Sequence, residues 1–281
     1  MKKIELVKGI QSSALGFGCA SILGSIDART AARAIDCAID CGINHFDLAR
    51  SYGYGEAESF ASKIFKNKRD NLVLASKFGI KANWKAYLLK PVKPILRTLV
   101  RNNNEKNAAN TGDETIQAKT LADHFHYRIP LSGREMMKSL EQSLKALNTD
   151  YLDYFFVHEP PDTLLNFNEL AATALKLKEQ GKIRAWGIAY MRHQEHLHIG
   201  YINHFDILQF NNSPGSAGYK RAVTNRSTEP NIFFSPIRGG SDAMSPTEKL
   251  TKLFDDFPQS VVLCSTFNEK HLKQNAGLVQ H

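Results

Sequence analysis

Ala14-Leu15-Gly16-Phe17-Gly18-Cys19-Ala20-Ser21 is the stretch that decides the fold of this 281-residue chain. Its apolar run reads as a buried strand that ends in a loop of small residues. A strand followed by a glycine turn and a helix opens two kinds of α/β protein. In a doubly wound sheet the turn carries three glycines, so that a dinucleotide pyrophosphate can approach the helix. Here Gly16 and Gly18 have no third partner before Ser21. That leaves a closed barrel, and the rest of the chain supplies the count a barrel needs.

Short apolar runs and amphipathic helices alternate outward from this strand. A helix over 28–41 carries Ala32, Ile35, Ala38 and Ile39 at helical spacing. A strand at 44–49, a helix near 56–67 and a strand ending at Lys77 follow. Ser132-Gly133-Arg134-Glu135 reads as a capping box opening a helix over 133–147. Beyond it come a strand at 151–158, a helix at 164–180, a strand at 182–188 and a helix near 192–201. The chain then runs through a strand at 206–210, a weak helix around 218–226 and a strand at 231–235. Ser245-Pro246-Thr247-Glu248 caps a further helix, with proline at its favoured first position. A strand at 260–266 and a helix at 268–277 close the series. Eight strand–helix units imply parallel strands with right-handed crossovers, and eight in about 280 residues predict a (β/α)8 TIM barrel. We therefore expect one domain over 1–281.

One segment interrupts the rhythm. More than fifty residues separate Lys77 from Ser132, where a short loop would suffice. This insertion, 80–131, leaves from the catalytic end of the third strand and reads as a lid or pocket wall; the alternative is coverage packed on the rim. Residues 81–110 hold seven Lys or Arg against one Glu, which is six of the eight net positive charges. The rest of the chain is nearly neutral, so a nucleic-acid surface is not a property of the whole. Its mixed basic and apolar residues from Trp84 to Arg97 suit solvated coverage, an acidic substrate or an anionic membrane surface. Pro91 and Pro94 break any long amphipathic helix there. With 42% hydrophobic and 23% charged residues, and no run of ~18 apolar residues, the expectation is a soluble cytoplasmic protein without stable membrane insertion. Cys37 and Cys41 read as small core residues. His193, His196, His198 and His204 read as an exposed face whose spacing matches no metal set. No metal is expected, and the oligomeric state is not readable.

Three strands end on ionisable residues. Phe46-Asp47-Leu48-Ala49-Arg50-Ser51-Tyr52-Gly53 supplies a carboxylate and a phenol, the third strand ends at Lys77, and 151–158 ends at His158. In a barrel the C-terminal strand ends form the active face. A phenol has an ordinary pKa of about 10, and a neighbouring ammonium lowers it. Asp47 would hold Lys77 charged, and His158 would orient a carbonyl oxygen toward Tyr52. Together they suit protonation of an oxygen that is gaining negative charge. Taken singly, each residue also has a plain structural reading as a turn aromatic, an ion pair or a core histidine.

Over nearly its full length the chain resembles the aldo-keto reductase superfamily. The resemblance rests on Phe46 to Gly55, Ala75-Ser76-Lys77-Phe78-Gly79, Ser143 to Asp153 leading to His158, and Gly181-Lys182-Ile183-Arg184-Ala185-Trp186-Gly187-Ile188. It implies an NAD(P)H-dependent oxidoreductase that reduces a small aldehyde or ketone, an anionic one included. Tyr52 would be general acid, with Lys77 and Asp47 tuning it and His158 orienting the substrate. The family's Ser-Asn pair for the nicotinamide carboxamide is replaced by Ala189-Tyr190. The remaining matches are Gln209 for the carboxamide and Phe234 for stacking on the ring. Ser235, Ile237 and Gly239 match the pyrophosphate stretch; Ser265, Thr266, His271 and Asn275 match the adenosine-phosphate cluster, with Lys270 as a source of charge. Family habit favours NADP(H) over NAD(H). The altered carboxamide pair keeps two alternatives open: a redox-neutral epimerase or lyase on the same barrel, or a nucleotide-sensing regulatory subunit.

Overall fold

The chain begins with an antiparallel hairpin that the sequence reading did not anticipate, β1 (Lys3–Val7) and β2 (Ile10–Ser13). It lies across the N-terminal ends of the next two strands. The Ser13 backbone N–H donates to Asn44 Oδ1 at 2.6 Å, and the Asn44 N–H donates back to Ser13 Oγ at 3.1 Å. Eight parallel strands then close on one another: β3 (Leu15–Gly18), β4 (His45–Asp47), β5 (Val73–Phe78), β8 (Leu152–His158), β9 (Ile183–Tyr190), β10 (Ile207–Asn211), β11 (Asn231–Phe234) and β12 (Val261–Cys264), which returns to β3. This is the expected (β/α)8 TIM barrel. The computed structural model describes residues 1–83, 126–240 and 243–279.

Seven α-helices cover the outside of the barrel: α1 (Ala28–Asp40), α2 (Ala57–Phe65), α3 (Gly133–Leu147), α4 (Phe167–Glu179), α5 (Tyr219–Arg226), α6 (Pro246–Asp256) and α7 (Glu269–Gly277), counted among the described residues. Their starts follow from local chemistry. Asp27 accepts from the Thr30 N–H at 3.0 Å to begin α1, whose buried Ala31, Ala34, Ile35 and Ala38 form one stripe. Ser245 and Glu248 form a reciprocal capping box on α6. At α3 only Ser132 plays its part, because Glu135 turns instead to Lys81 at 3.3 Å.

Close packing inside the barrel explains its strand glycines. A Cβ on Gly187 would come within 2.4 Å of the Ile207 carbonyl and 2.6 Å of the Phe156 ring, and one on Gly16 within 2.6 Å of Leu263. Between β9 and β10 the expected helix near 192–201 is replaced by 3-10 turns, Arg192–Leu197 and Ile202–His204. Arg192 anchors the start of the first turn. Its N–H donates to Asn211 Oδ1 at 2.7 Å, and its buried guanidinium donates to Asn212 Oδ1, Ser216 Oγ (2.7 Å) and the Ala217 carbonyl. These bonds tie the segment's first residue to the next loop. A cavity of about 500 Å³ remains on the outer wall there, lined by Phe167, Ala171, Trp186, Tyr201 and His204. It is remote from the strand-end cluster described below.

Of the insertion, 80–83 and 126–131 are described. They place β6 (Ile80–Ala82) antiparallel to β7 (His126–Arg128) over the C-terminal face. The expectations for residues 84–125, including the mixed basic and apolar run from Trp84 to Arg97, lie outside the described residues. No helix among the described residues is long and apolar enough to cross a membrane.

Candidate active site

Asp47, Tyr52, Lys77 and His158 meet at the C-terminal end of the barrel. Lys77 Nζ is the hub: it donates to Asp47 Oδ2 at 2.5 Å, to the Leu48 carbonyl at 2.9 Å and to Tyr52 Oη at 3.2 Å. An ammonium has three donors, and all three are committed. Tyr52 Oη therefore accepts from Lys77, which leaves its own O–H to be given elsewhere. The His158 ring stands edge-on to the Tyr52 ring at 5.9 Å, and its buried Nδ1 has no partner.

Buried groups missed in the sequence reading hold the loop that carries Tyr52. Glu58, buried on α2, pairs with Arg50 and accepts from Ser76 Oγ of β5 at 2.6 Å. Gly53 adopts φ +58°, and a Cβ there would sit 2.6 Å from the Ile22 carbonyl, so the turn after Tyr52 requires glycine. From β7, His126 Nε2 donates to the Ser51 carbonyl at 3.0 Å. The Asp153 carboxylate that ends the Ser143-to-Asp153 motif is structural. It pairs with Arg69 and Arg184 and accepts from the Leu74 N–H at 2.9 Å.

Electrostatics sort the four residues into roles. Burial drags the Lys77 ammonium down, but Asp47 and Tyr52 outweigh it and hold the group up at about 12. Burial also pushes the Tyr52 phenol up to about 12, against the pull of Lys77. The neighbouring ammonium does lower that value, as expected from its charge, but in the folded chain desolvation outweighs it. His158 is pushed well below its ordinary value by burial first, then by the positive charge of Lys77, Arg128 and His126. It is a neutral imidazole at pH 7. The cluster thus holds one proton to give, on Tyr52, and one cation to receive the resulting phenolate, on Lys77.

Parallel pairing sets His158, Ala189 and Gln209 side by side on one face of the sheet, the barrel interior. Tyr190, one residue on, faces the other way and packs against Phe210 (5.5 Å) and His198 (5.8 Å) between the sheet and the 3-10 turns. It does not stand in for the family's asparagine. Gln209 is fully buried; its Nε2 donates to Asp47 Oδ1 at 2.9 Å, and its Oε1 has no partner. At the end of β11, Phe234 is half-buried, and beyond it Ser235 (φ +52°) and Gly239 (φ +75°) turn the backbone through the left-handed region around Ile237. Ser265 and Thr266 follow β12, with Ser265 exposed beside β3: a Cβ on Gly18 would meet Ser265 Oγ at 2.4 Å. Lys270 and His271 are exposed on the first turn of α7, whereas Asn275, one turn further along, is largely buried. A cavity of about 330 Å³ opens beside Lys270, lined also by Thr30, Arg33, Asn268 and Glu269. An orphaned buried acceptor beside the acid–base cluster, a half-buried aromatic and a loop of left-handed turns fit a nicotinamide dinucleotide. Among the described residues no group of three or more His, Cys, Asp or Glu is placed to hold a metal ion.

The fold and the site together define a closed eight-stranded parallel barrel that carries Asp47, Tyr52, Lys77 and His158 at its C-terminal rim. The profile of the aldo/keto reductase family matches residues 14–199, and the chain belongs to that family. It is 30% identical over 187 residues to the aldo-keto reductase YhdN of Bacillus subtilis, covering 64% of this chain and 44% of the relative. To the NADH-specific methylglyoxal reductase of Escherichia coli it is 28% identical over 199 residues, covering 67% and 52%. The chain thus spans about half the length of these curated relatives. Among solved structures, the holo form of an aldo-keto reductase from Bacillus halodurans superposes with a TM-score of 0.69 at 21% identity, covering 100% of this chain and 91% of the other. One from Klebsiella pneumoniae, in complex with NADPH, gives 0.67 at 18%, covering 100% and 90%.

Proposed function

We propose that the protein is an NAD(P)H-dependent reductase of aldehydes or ketones, with Tyr52 as its general acid. The observation that carries this reading is the Lys77 hub, which spends all three donors on Asp47, Leu48 and Tyr52. Bound NAD(P)H would supply the hydride to the carbonyl carbon. The protein's share is the proton. As the substrate oxygen gains negative charge it takes the proton from Tyr52 Oη, and the phenolate left behind faces the Lys77 ammonium. Neutral His158 donates a hydrogen bond to the same oxygen and fixes its direction. Asp47 keeps Lys77 charged and in place.

Gln209 would receive the carboxamide and Phe234 would lie against the ring. Ser235, Ile237 and Gly239 would follow the pyrophosphate, and Ser265, Thr266, Lys270, His271 and Asn275 the adenosine end. NADP(H) is the preferred cofactor. Lys270 supports it with a charge that no ion pair among the described residues takes up, whereas the Arg33 charge beside it is paired with Glu269 at 2.5 Å. The similarity to both an NADH-specific relative and an NADPH-bound structure makes the choice a matter for titration.

Fluorescence titration of the purified protein with NADPH and NADH tests the reading. NADPH binding at micromolar concentration, with oxidation by a carbonyl panel, is the expected result. Binding of neither nucleotide at millimolar concentration would overturn it. Restoring the missing hydroxyl gives a second check. Ala189→Ser is expected to tighten NADPH by about five- to tenfold, the worth of roughly one hydrogen bond. Tyr190→Asn is expected to leave the affinity alone, because that side chain faces away from the interior. Equal effects of the two substitutions would contradict the inward placement of residue 189.

A further inference from the structure

The geometry points to Gln209 as a positioning residue for the proton-donating cluster: its side-chain amide couples the seating of the nicotinamide to the Asp47–Lys77–Tyr52 chain. This rests on the reductase reading and adds to it a link between its two halves.

The orientation of the Gln209 amide is set by its neighbour. A carboxylate only accepts, so the end of Gln209 that lies 2.9 Å from Asp47 Oδ1 must be the NH2 group. Asp47 Oδ2 is taken by Lys77 at 2.5 Å, so the carboxylate has one donor on each oxygen and is held from both sides. The amide is thereby locked, and its carbonyl oxygen is left buried without a donor. A buried acceptor of this kind favours a ligand that brings an N–H. The side chains flanking Gln209 in register are Ala189, which has no hydrogen-bonding atom, and Ile232.

Two consequences follow. The site discriminates for a ring substituent that donates, as a carboxamide does and a methyl ketone does not. A donor placed on Oε1 also polarises the amide, strengthening the N–H bond to Asp47. That bond withdraws part of the carboxylate's charge, and the carboxylate's charge opposes ionisation of Tyr52. Cofactor binding and the acidity of Tyr52 are thus linked through one side chain.

The test compares the parent with Gln209→Leu and Gln209→Glu in two measurements. In the first, the protein is titrated with NADP and with its 3-acetylpyridine analogue, whose ring carries a ketone in place of the carboxamide. The parent is expected to prefer NADP at least about tenfold, and the Leu variant to bind both within about twofold. In the second, alcohol oxidation is followed against pH. That reaction requires Tyr52 to lose its proton. Losing the donor to Asp47 leaves the carboxylate's full charge on the cluster, so the alkaline limb of the Leu variant moves upward by about half a unit. The Glu variant donates to Asp47 only when it carries a proton itself; ionised, it sets a second negative charge beside the carboxylate, so its limb moves upward by more than that of the Leu variant. A merely structural role would weaken both nucleotides equally and leave the limb in place; that outcome overturns the inference while leaving the reductase reading intact. A parent that binds neither nucleotide overturns the reductase reading itself.

Discussion

Tyr52→Phe is expected to lower the rate of carbonyl reduction by about 10²–10⁴-fold while leaving the affinity for nicotinamide nucleotide within a factor of two. The substitution removes one oxygen and the proton it carries. It leaves Lys77 bonded to Asp47 and Leu48, so the barrel rim keeps its shape. The phenol stands at about 12 and stays protonated across the working range. His158, held well below its ordinary value, is neutral there and adds no charge change of its own. Reduction by the parent should therefore show a broad plateau above neutrality that falls only as pH climbs toward the Tyr52 value. The reverse reaction should rise over that same limb, because it needs the phenolate. Stopped-flow rates with saturating NADPH check both claims. Equal turnover in parent and variant would remove Tyr52 from the mechanism, and a reduction rate that already falls with rising pH on the acid side of neutrality would assign the proton to His158 instead.

The features that repeat were the most legible in the sequence. Eight alternations gave the barrel, because a buried parallel strand is a run of apolar residues and a covering helix shows one apolar stripe. The four ionisable residues were legible for a related reason: each sits at or just past a strand end, and barrel geometry brings those ends together. Groups whose partners lie far off in the chain were not legible. Gln209 and Asp47 are 162 residues apart, so nothing near either one announces their bond. Glu58 looks like an ordinary helix glutamate until Arg50 and Ser76 close on it. The segment 192–201 has a helical composition but forms 3-10 turns, and nothing near Arg192 in the chain announces its bonds to Asn212 and Ser216. The N-terminal hairpin failed for a different reason: its strands alternate over only four or five residues, and they pair only with each other. Lys77 was expected to acidify Tyr52, and its contribution has that sign, but the cost of burying a phenolate exceeds it. Signs of pairwise effects can be read from residue types, whereas their sum depends on burial that only the fold supplies.

Asp47→Ala is expected to be the most destabilising single change at this rim, by about 3–5 kcal/mol at pH 7. Asp47 and Lys77 are 6% and 3% exposed and 2.5 Å apart, so deleting the carboxylate strands an ammonium where water cannot reach it. The Leu48 carbonyl and Tyr52 Oη stay as neutral acceptors and recover only part of the loss. The sign of the pH dependence separates this cause from simple loss of packing. In the parent, Lys77 is held at about 12, above its unfolded value of about 10.4; its contribution is complete below that value and fades as pH rises through about 12. In the variant, burial acts unopposed by Asp47 and drives the Lys77 value below the unfolded one. Stability then grows as pH rises toward about 10.4, and the gap between parent and variant narrows on the alkaline side. The double variant Asp47→Ala/Lys77→Met removes both charges and should regain most of the stability, although not the activity. Urea unfolding of the three chains between pH 6 and 10 decides the matter. A pH-independent gap that the double variant fails to close would mean that the two groups act through packing, and the Lys77 hub would lose its electrostatic meaning.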